Sequence, residues 1–317
     1  MLLRRIKTLL LAGLSGALAV TVAVPGTAAA DGLPVVYGMG PFVNAILTAT
    51  APYDPPGGND WTCRPGPERP LPVVLVTGLS GNGENSWQTI SPLLKNEGYC
   101  VFALTYGTYP GDSGWWAGVG GRTPIMDSSA ELARYVDQVL AVTGAPKVKL
   151  LTWSAGAVVG AAYIQFLGGD RTVDAQVSLA PMWKGTQVAQ STTNSANSLG
   201  IYNSVYAAMN PPCGACVDVL TGSAFIDRLT ASGVYSDEVR YYSVLTEVDG
   251  QVVPFTNGWV DAPNATNVVL QHGCPQNLTG HLMLSSDPRS VNLAVQGLDP
   301  DQPRSIPCAP NSGPAGI

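Results

Sequence analysis

Lys147 to Gly169 reads KVKLLTWSAGAVVGAAYIQFLGG. It opens as a short strand rich in Val and Leu. It turns at Thr152-Trp153-Ser154-Ala155-Gly156 and continues as a long apolar run of helical character. A strand, a tight turn around a Ser and a buried helix make a nucleophile elbow, which projects the hydroxyl beyond the carboxyl end of the strand. The N–H of the next residue is then free to face an oxyanion. Strand and helix approach closely at such a turn, so the residues after the Ser must be small. Ala155, Gly156, Ala157, Gly160, Ala161 and Ala162 meet that condition. The competing reading of Ser154 is a plain helix N-cap. Thr152 stands where a G-x-S-x-G pattern has its first Gly. Ser154 therefore needs partners elsewhere: a base, an acid and a second oxyanion donor.

Outward from the elbow, strands alternate with helices. Pro72 to Gly78, PVVLVTG, is an unbroken apolar, β-branched run of the kind found in buried parallel strands. Further strands are expected at Cys100–Tyr106, Val173–Pro181, Glu238–Val248 and Asn267–Gln271. Helices are expected at Asn85–Gly98, Asp127–Gly144 and Pro288–Leu298. This alternation implies an α/β fold with a mostly parallel sheet covered on both faces. In such sheets the ligand site lies beyond the carboxyl ends of the strands. Asp31 to Pro70 is rich in Pro and Gly and reads as an extended arm. Residues 182–233, with a Ser/Thr/Asn-rich patch at Ser191 to Asn203, read as a small cap over the sheet.

A serine nucleophile working near neutral pH needs a general base, usually His. The chain has two, His272 and His281. His272 falls at the end of the last strand. His281 lies further along the following loop, where it can swing over the elbow, and is the preferred base. The acid is expected between Ser and His in chain order, at the end of a late strand. Asp249, followed by Gly250, fits; Glu247 and Asp261 compete. The oxyanion donors would be the N–H of Ala155 and that of Leu79, in the glycine-rich loop after PVVLVTG.

The first thirty residues read as a secretory signal peptide. Arg4, Arg5 and Lys7 lead an apolar core, Leu9–Val24, and Ala28-Ala29-Ala30 ends it as a cleavage site. Residues 31–317 are then one catalytic domain. Three of the 16 basic residues lie in the leader, leaving 13 against 22 acidic residues, a net charge of −9. That acidic balance, without basic clusters, excludes a nucleic-acid binder. No other apolar run is long enough to span a bilayer. Six cysteines in an exported chain read as disulfides. Cys213 and Cys216 form a C-x-x-C without a second such pair or nearby His, so a local disulfide is expected there in place of a zinc site. Two N-x-S/T sequons occur, at Asn264 and Asn277.

Several motifs then agree in order and spacing: NDWTC (Asn59 to Cys63), PVVLVTGLSGN, SPLLKNEGYCVFALTYG, VLAVTGAPKVKLLTWSAG, SLAPMWKGT and TEVDGQVVPFT. In these the chain resembles the class 2 lipases of actinobacteria and fungi, within the α/β-hydrolase superfamily, and especially the fungal lipase B branch. The resemblance runs from about Asn59 to Cys308. That branch shares the T-W-S-x-G elbow, so Thr152-Trp153 implies a subgroup. The likeness implies an α/β-hydrolase fold. It gives Ser154 as nucleophile, Asp249 as acid and His281 as base, with oxyanion donors at Leu79 and Ala155. It also implies Trp153 beside the pocket and disulfides Cys63–Cys100 and Cys274–Cys308.

Three departures stand out. Thr77-Gly78 replaces a common His-Gly. Leu79 replaces a Thr whose hydroxyl adds an oxyanion donor, and Met182 replaces an Asp, making the pocket less polar. The loss of one such donor costs on the order of 2.7–4 kcal/mol of transition-state stabilisation.

The expected protein is a secreted, monomeric serine ester hydrolase acting on triacylglycerols or other lipid esters at an oil–water interface. It would form an acyl-serine intermediate and use no metal or other cofactor. The rivals are a short-chain or polyester esterase, an acyltransferase with the same site, and a non-catalytic binding protein on the same scaffold. Trp115, Trp116, Met182 and Trp183 would line an acyl groove or pack the core.

Overall fold

Val73–Val76, an unbroken apolar run, and Val148–Trp153, apolar but for Lys149 and Thr152, are buried at every residue. In the computed structural model, which describes residues 32–188, 203, 207 and 209–311, they are adjacent inner strands of a six-stranded sheet. The strands are β1 (Val73–Val76), β2 (Val101–Leu104), β3 (Val148–Trp153), β4 (Val173–Leu179), β5 (Arg240–Leu245) and β6 (Ala265–Val269). Their order is β2-β1-β3-β4-β5-β6, and every pairing is parallel. The alternating pattern implies such a parallel sheet, and the resemblance implies its α/β-hydrolase arrangement. The chain leaves β1 for β2 in one direction and then builds β3 to β6 in the other. With right-handed crossovers, that reversal puts helices on both faces and opens a crevice between the carboxyl ends of β1 and β3.

The helices are α1 (Met39–Thr48), α2 (Gly83–Ser86), α3 (Ile90–Asn96), α4 (Ile125–Thr143), α5 (Ala155–Phe166), α6 (Gly214–Asp218), α7 (Ala224–Ala231) and α8 (Pro288–Leu298). α4 packs on α5, and α8 packs on β4 and β5. Asp287 caps α8 by accepting from the Ser290 N–H at 2.9 Å, and Pro288 follows at the first helical position.

The structure departs from the sequence reading in several places, and β2, β4, β5 and β6 all end before the expected residue. The helix expected at Asn85–Gly98 is two helices, α2 and α3, separated at Trp87–Thr89. Pro92 lacks an N–H and belongs in a first turn, so a new helix begins at Ile90. The arm expected to be extended carries α1. β6 ends two residues early, because Leu270 and His272 enter a turn in which the His272 N–H donates to the Val269 carbonyl at 3.0 Å. The leader and the Ser191–Asn203 patch, Asn203 apart, lie outside the described residues.

Three disulfides close: Cys63–Cys100, Cys213–Cys216 and Cys274–Cys308. The first ties the arm to the residue before β2. Neither sequon offers a free amide. Asn277 is buried, and the Asn264 amide donates to the Ser236 and Val239 carbonyls at 2.8 and 2.7 Å.

Candidate active site

The elbow is a sharp turn between β3 and α5. Ser154 holds φ 57° and ψ −127°, a backbone that L-residues rarely adopt. Its N–H donates to the Leu179 carbonyl of β4 at 2.8 Å, which pins the turn to the sheet. Gly156 allows the close approach. A Cβ there would lie 2.3 Å from the Thr77 carbonyl oxygen. Thr152 does not crowd the turn, because its side chain points sideways and donates to Ser178 Oγ on β4 at 2.8 Å.

His281 lies over the elbow in a short 3-10 turn, His281–Met283, and is almost fully buried. Its Nδ1 is 2.9 Å from Asp249 Oδ2, and its Nε2 is 2.9 Å from Ser154 Oγ. With Nδ1–H given to the carboxylate, Nε2 carries its lone pair toward the serine hydroxyl. The Trp153 ring stacks on the imidazole at 5.9 Å, with 29° between the planes. The other oxygen of Asp249 accepts from the Gln251 and Val252 N–H groups at 2.8 and 2.7 Å. Those two bonds fix the carboxylate and leave Oδ2 for the ring.

The loop that carries His281 is held from several sides. Thr246 donates to the Thr279 carbonyl at 2.6 Å, and Gln271 donates to the Asn277 carbonyl at 2.8 Å. Arg289 donates to the Leu270 and His272 carbonyls, both at 2.9 Å, and Cys274–Cys308 closes the loop onto the C-terminal segment. The competing residues stand apart. His272 is exposed and lies 3.6 Å from Glu247, while Asp261 accepts from the Trp259 indole at 2.7 Å.

Leu79 follows β1, and its N–H has no acceptor among the described residues. Ala155 is the first residue of α5, so its N–H has no intrahelical carbonyl to meet. The loop after β1 is clamped. Ser80 has φ 62° and donates its N–H to the Gly120 carbonyl at 3.0 Å, and Gly120 returns a bond to the Gly81 carbonyl at 3.1 Å. Gly121 passes so close that a Cβ would lie 2.7 Å from the Gly78 oxygen. Tyr106, fully buried, donates its hydroxyl to the Thr77 carbonyl at 2.6 Å. Burial pushes that phenol far above the ordinary range, so it remains a donor throughout the working pH range.

A cavity of about 520 Å³ opens above these groups, with Ser154, His281, Trp153 and Met182 among its lining residues. Its walls are mostly apolar and include Phe42 and Ile46 of α1, Val219, Leu220 and Leu282. The α1 wall was missed by sequence reasoning. The available signal was the spacing Met39, Phe42, Val43, Ile46, obscured by Gly40 and Pro41. The segment 182–233, expected to be a cap, meets the site through a bridge between Thr186 and Leu220 and through Cys216 on the wall. Trp115 and Trp116 do not pack the core. They are exposed on a turn at the cavity mouth, where Trp116 stacks under the Arg122 guanidinium at 5.0 Å. Trp183 is fully buried against Tyr235. Among the described residues no His, Cys, Asp and Glu side chains cluster as a metal site.

Residues 70–290 match the family model of class 2 lipases. Among solved structures, Aspergillus fumigatus lipase B superposes with a TM-score of 0.59 at 15% identity, over 83% of this chain and 60% of that one. This chain thus spans less than two thirds of the length of that protein. Bacillus licheniformis lipase BlEst2 in its mature form gives a TM-score of 0.49 at 17% identity, over 70% of this chain and 89% of that one. Comparison with curated proteins finds no match. The likeness to Aspergillus fumigatus lipase B, at such low identity, speaks to the fold alone. The family match covers most of the chain, including Leu79, Ser154, Asp249 and His281: the protein belongs to the class 2 lipases of the α/β-hydrolase superfamily.

Proposed function

We propose that this protein is a serine-dependent carboxylic-ester hydrolase acting on lipid esters, with triacylglycerols as its substrate class. The observation that carries the reading is His281 standing 2.9 Å from Ser154 Oγ on one side and 2.9 Å from Asp249 on the other. His281 takes the proton from Ser154 as the oxygen attacks the ester carbonyl. Asp249 holds the ring and stabilises the imidazolium. The tetrahedral oxyanion sits on the Leu79 and Ala155 N–H groups. The imidazolium then protonates the departing alcohol, and water attacks the acyl-serine by the same route in reverse. The cavity supports a lipid acyl chain as substrate, since its walls are largely apolar and no Asp, Glu, Lys or Arg is among its lining residues.

In the same reading residues 1–30 are a cleaved leader, 31–317 form one catalytic domain, and 182–233 act as its cap. Three disulfides and no free cysteine among the described residues support work in an oxidising compartment outside the cell. Among those residues no helix is long and apolar enough to cross a membrane.

The test is a fluorophosphonate probe with peptide mapping, run beside p-nitrophenyl butyrate and palmitate assays on wild type and Ser154→Ala. Labelling at Ser154, turnover of the palmitate and loss of both in the variant are expected. Cleavage of the butyrate alone would move the substrate class to short or polymeric esters. Full activity in folded Ser154→Ala would overturn the mechanism.

A further inference from the structure

The thioether sulfur of Met182 lies 3.8 Å from Ser154 Oγ. The hydroxyl thus has two neighbours able to accept its proton, and His281 Nε2 is the nearer at 2.9 Å. A thioether is a weak acceptor, so the proton stays on the path to the imidazole. Met182 is only 3% exposed, yet it lines the cavity. That cavity also reaches Trp115 and Val188, which are 64% and 59% exposed, so it opens to solvent. An oxidant the size of hydrogen peroxide enters by the same opening as a substrate. None of the other described methionines, Met39, Met126, Met209 and Met283, lines it.

We propose that Met182 is an oxidative modification site whose sulfoxide switches off Ser154. The inference rests on Ser154 being the nucleophile of the proposed reaction. The chemistry needs one co-reactant, a peroxide. A sulfur lone pair attacks one oxygen of hydrogen peroxide, an S–O bond forms and the O–O bond breaks. Sulfur loses two electrons and the peroxide gains them. The departing hydroxide takes the proton left on the transferred oxygen and leaves as water. The product oxygen is polar and a strong acceptor on a sulfur that had been soft and apolar. A 3.8 Å contact has no room for an interposed atom. The new oxygen either draws the Ser154 O–H away from His281 or fills the space that the substrate carbonyl needs. Both stop acyl transfer without unfolding the chain.

The experiment treats the protein with hydrogen peroxide. It follows ester turnover, fluorophosphonate labelling of Ser154, and oxidation of each methionine by peptide mass mapping. Turnover and labelling are expected to fall in step with Met182 oxidation, by on the order of 100-fold when it is complete, the scale of a general base put out of action. Methionine sulfoxide reductases of both stereochemical types, with a thiol reductant, restore both readouts. Met182→Leu is compared with its own untreated rate, which it keeps while the remaining methionines oxidise. Wild type fully oxidised at Met182 with labelling unchanged overturns the switch alone. So does Met182→Leu losing its rate as fast as wild type. Protein that neither turns over esters nor labels at Ser154 before treatment overturns the hydrolase reading and the switch with it.

Discussion

The Tyr106 hydroxyl donates to the Thr77 carbonyl at 2.6 Å, immediately beneath the loop that presents the Leu79 N–H. Tyr106 also accepts the Gly121 N–H on its own carbonyl at 2.6 Å, so one residue ties β1, its loop and the Gly120–Gly121 clamp together. Tyr106→Phe keeps the ring and leaves the Thr77 carbonyl buried without this donor. Stability should fall by about 1–3 kcal/mol, the cost of leaving a buried acceptor unpaired. The loosened loop should lower kcat for the butyrate ester and leave KM nearly unchanged. Urea unfolding and steady-state kinetics read the two effects. A Tyr106→Phe protein with wild-type kcat would mean that the loop is held well enough by Gly120 and Gly121.

Asp249 accepts two backbone N–H groups on one oxygen and His281 on the other. Asp249→Asn preserves the shape but presents an amide to the ring. An Nδ1 that must accept from that amide carries its proton on Nε2, the wrong tautomer for taking one from Ser154. A fall in kcat of about 10⁴-fold is expected, with the fold intact by circular dichroism. Activity within tenfold of wild type would shift the acid's role to another group.

Much of this site was legible because few residues compete for each role. Only two histidines exist, and chain order left Asp249 with two rivals. The strands were visible because burial on both faces favours near-continuous apolar runs such as VVLV, and in VKLLTW only Lys149 and Thr152 interrupt the pattern. What escaped was structure whose pattern answers to two environments at once. In α1, Ala45 faces inward, Phe42 and Ile46 line the cavity, and Val43 and Leu47 are exposed, so no single apolar stripe marks the helix. For Trp115 and Trp116 the sequence left a groove and a core packing open, since large aromatics usually pack inside; here both are exposed, Trp115 lines the cavity and Trp116 is held by Arg122. The clamp on the Leu79 loop was not readable, because it depends on backbone bonds between residues about forty apart.

At the far end of the sheet, Asp299 follows α8 and meets Lys149 of β3, Arg69 and the Tyr99 hydroxyl. Burial works to raise its pKa. The bonds from Lys149 and Tyr99 and the charges of Lys149 and Arg69 outweigh burial, so the folded-state value lies below the ordinary one. The unfolded chain then binds the proton more readily than the folded one, and this contribution to stability rises with pH. It should be fully present above about pH 4, the ordinary carboxylate range, and vanish as pH falls through the lowered folded value. Asp299→Asn should therefore be less stable than wild type at pH 7, with the gap narrowing at pH 3. Urea unfolding at the two pH values checks this. An equal gap at both would show that shape rather than charge ties α8 to β3.

Gly156 sets the spacing between the elbow and the loop that faces it. A Cβ there would lie 2.3 Å from the Thr77 backbone oxygen, which the Tyr106 hydroxyl holds, and 2.5 Å from the backbone oxygen of Val76, the last residue of the paired strand β1. Neither can turn aside, so Gly156→Ala must push α5 away from β1. Overpacking of this kind costs about 1–3 kcal/mol. For a domain of this size each kcal/mol lowers Tm by roughly 2–4 °C. The same displacement moves Ala155 away from Leu79, the two proposed oxyanion donors, so kcat should fall well beyond the stability loss. Gly160→Ala, one turn further along α5, is the control, because its new Cβ would meet only the side chain of Gln176 at 2.9 Å. That variant should lose stability yet hold kcat. Thermal unfolding and initial rates on both proteins separate the effects. A Gly160→Ala protein as inactive as Gly156→Ala would mean that seating of the whole helix, and not the gap at the elbow, governs the oxyanion site.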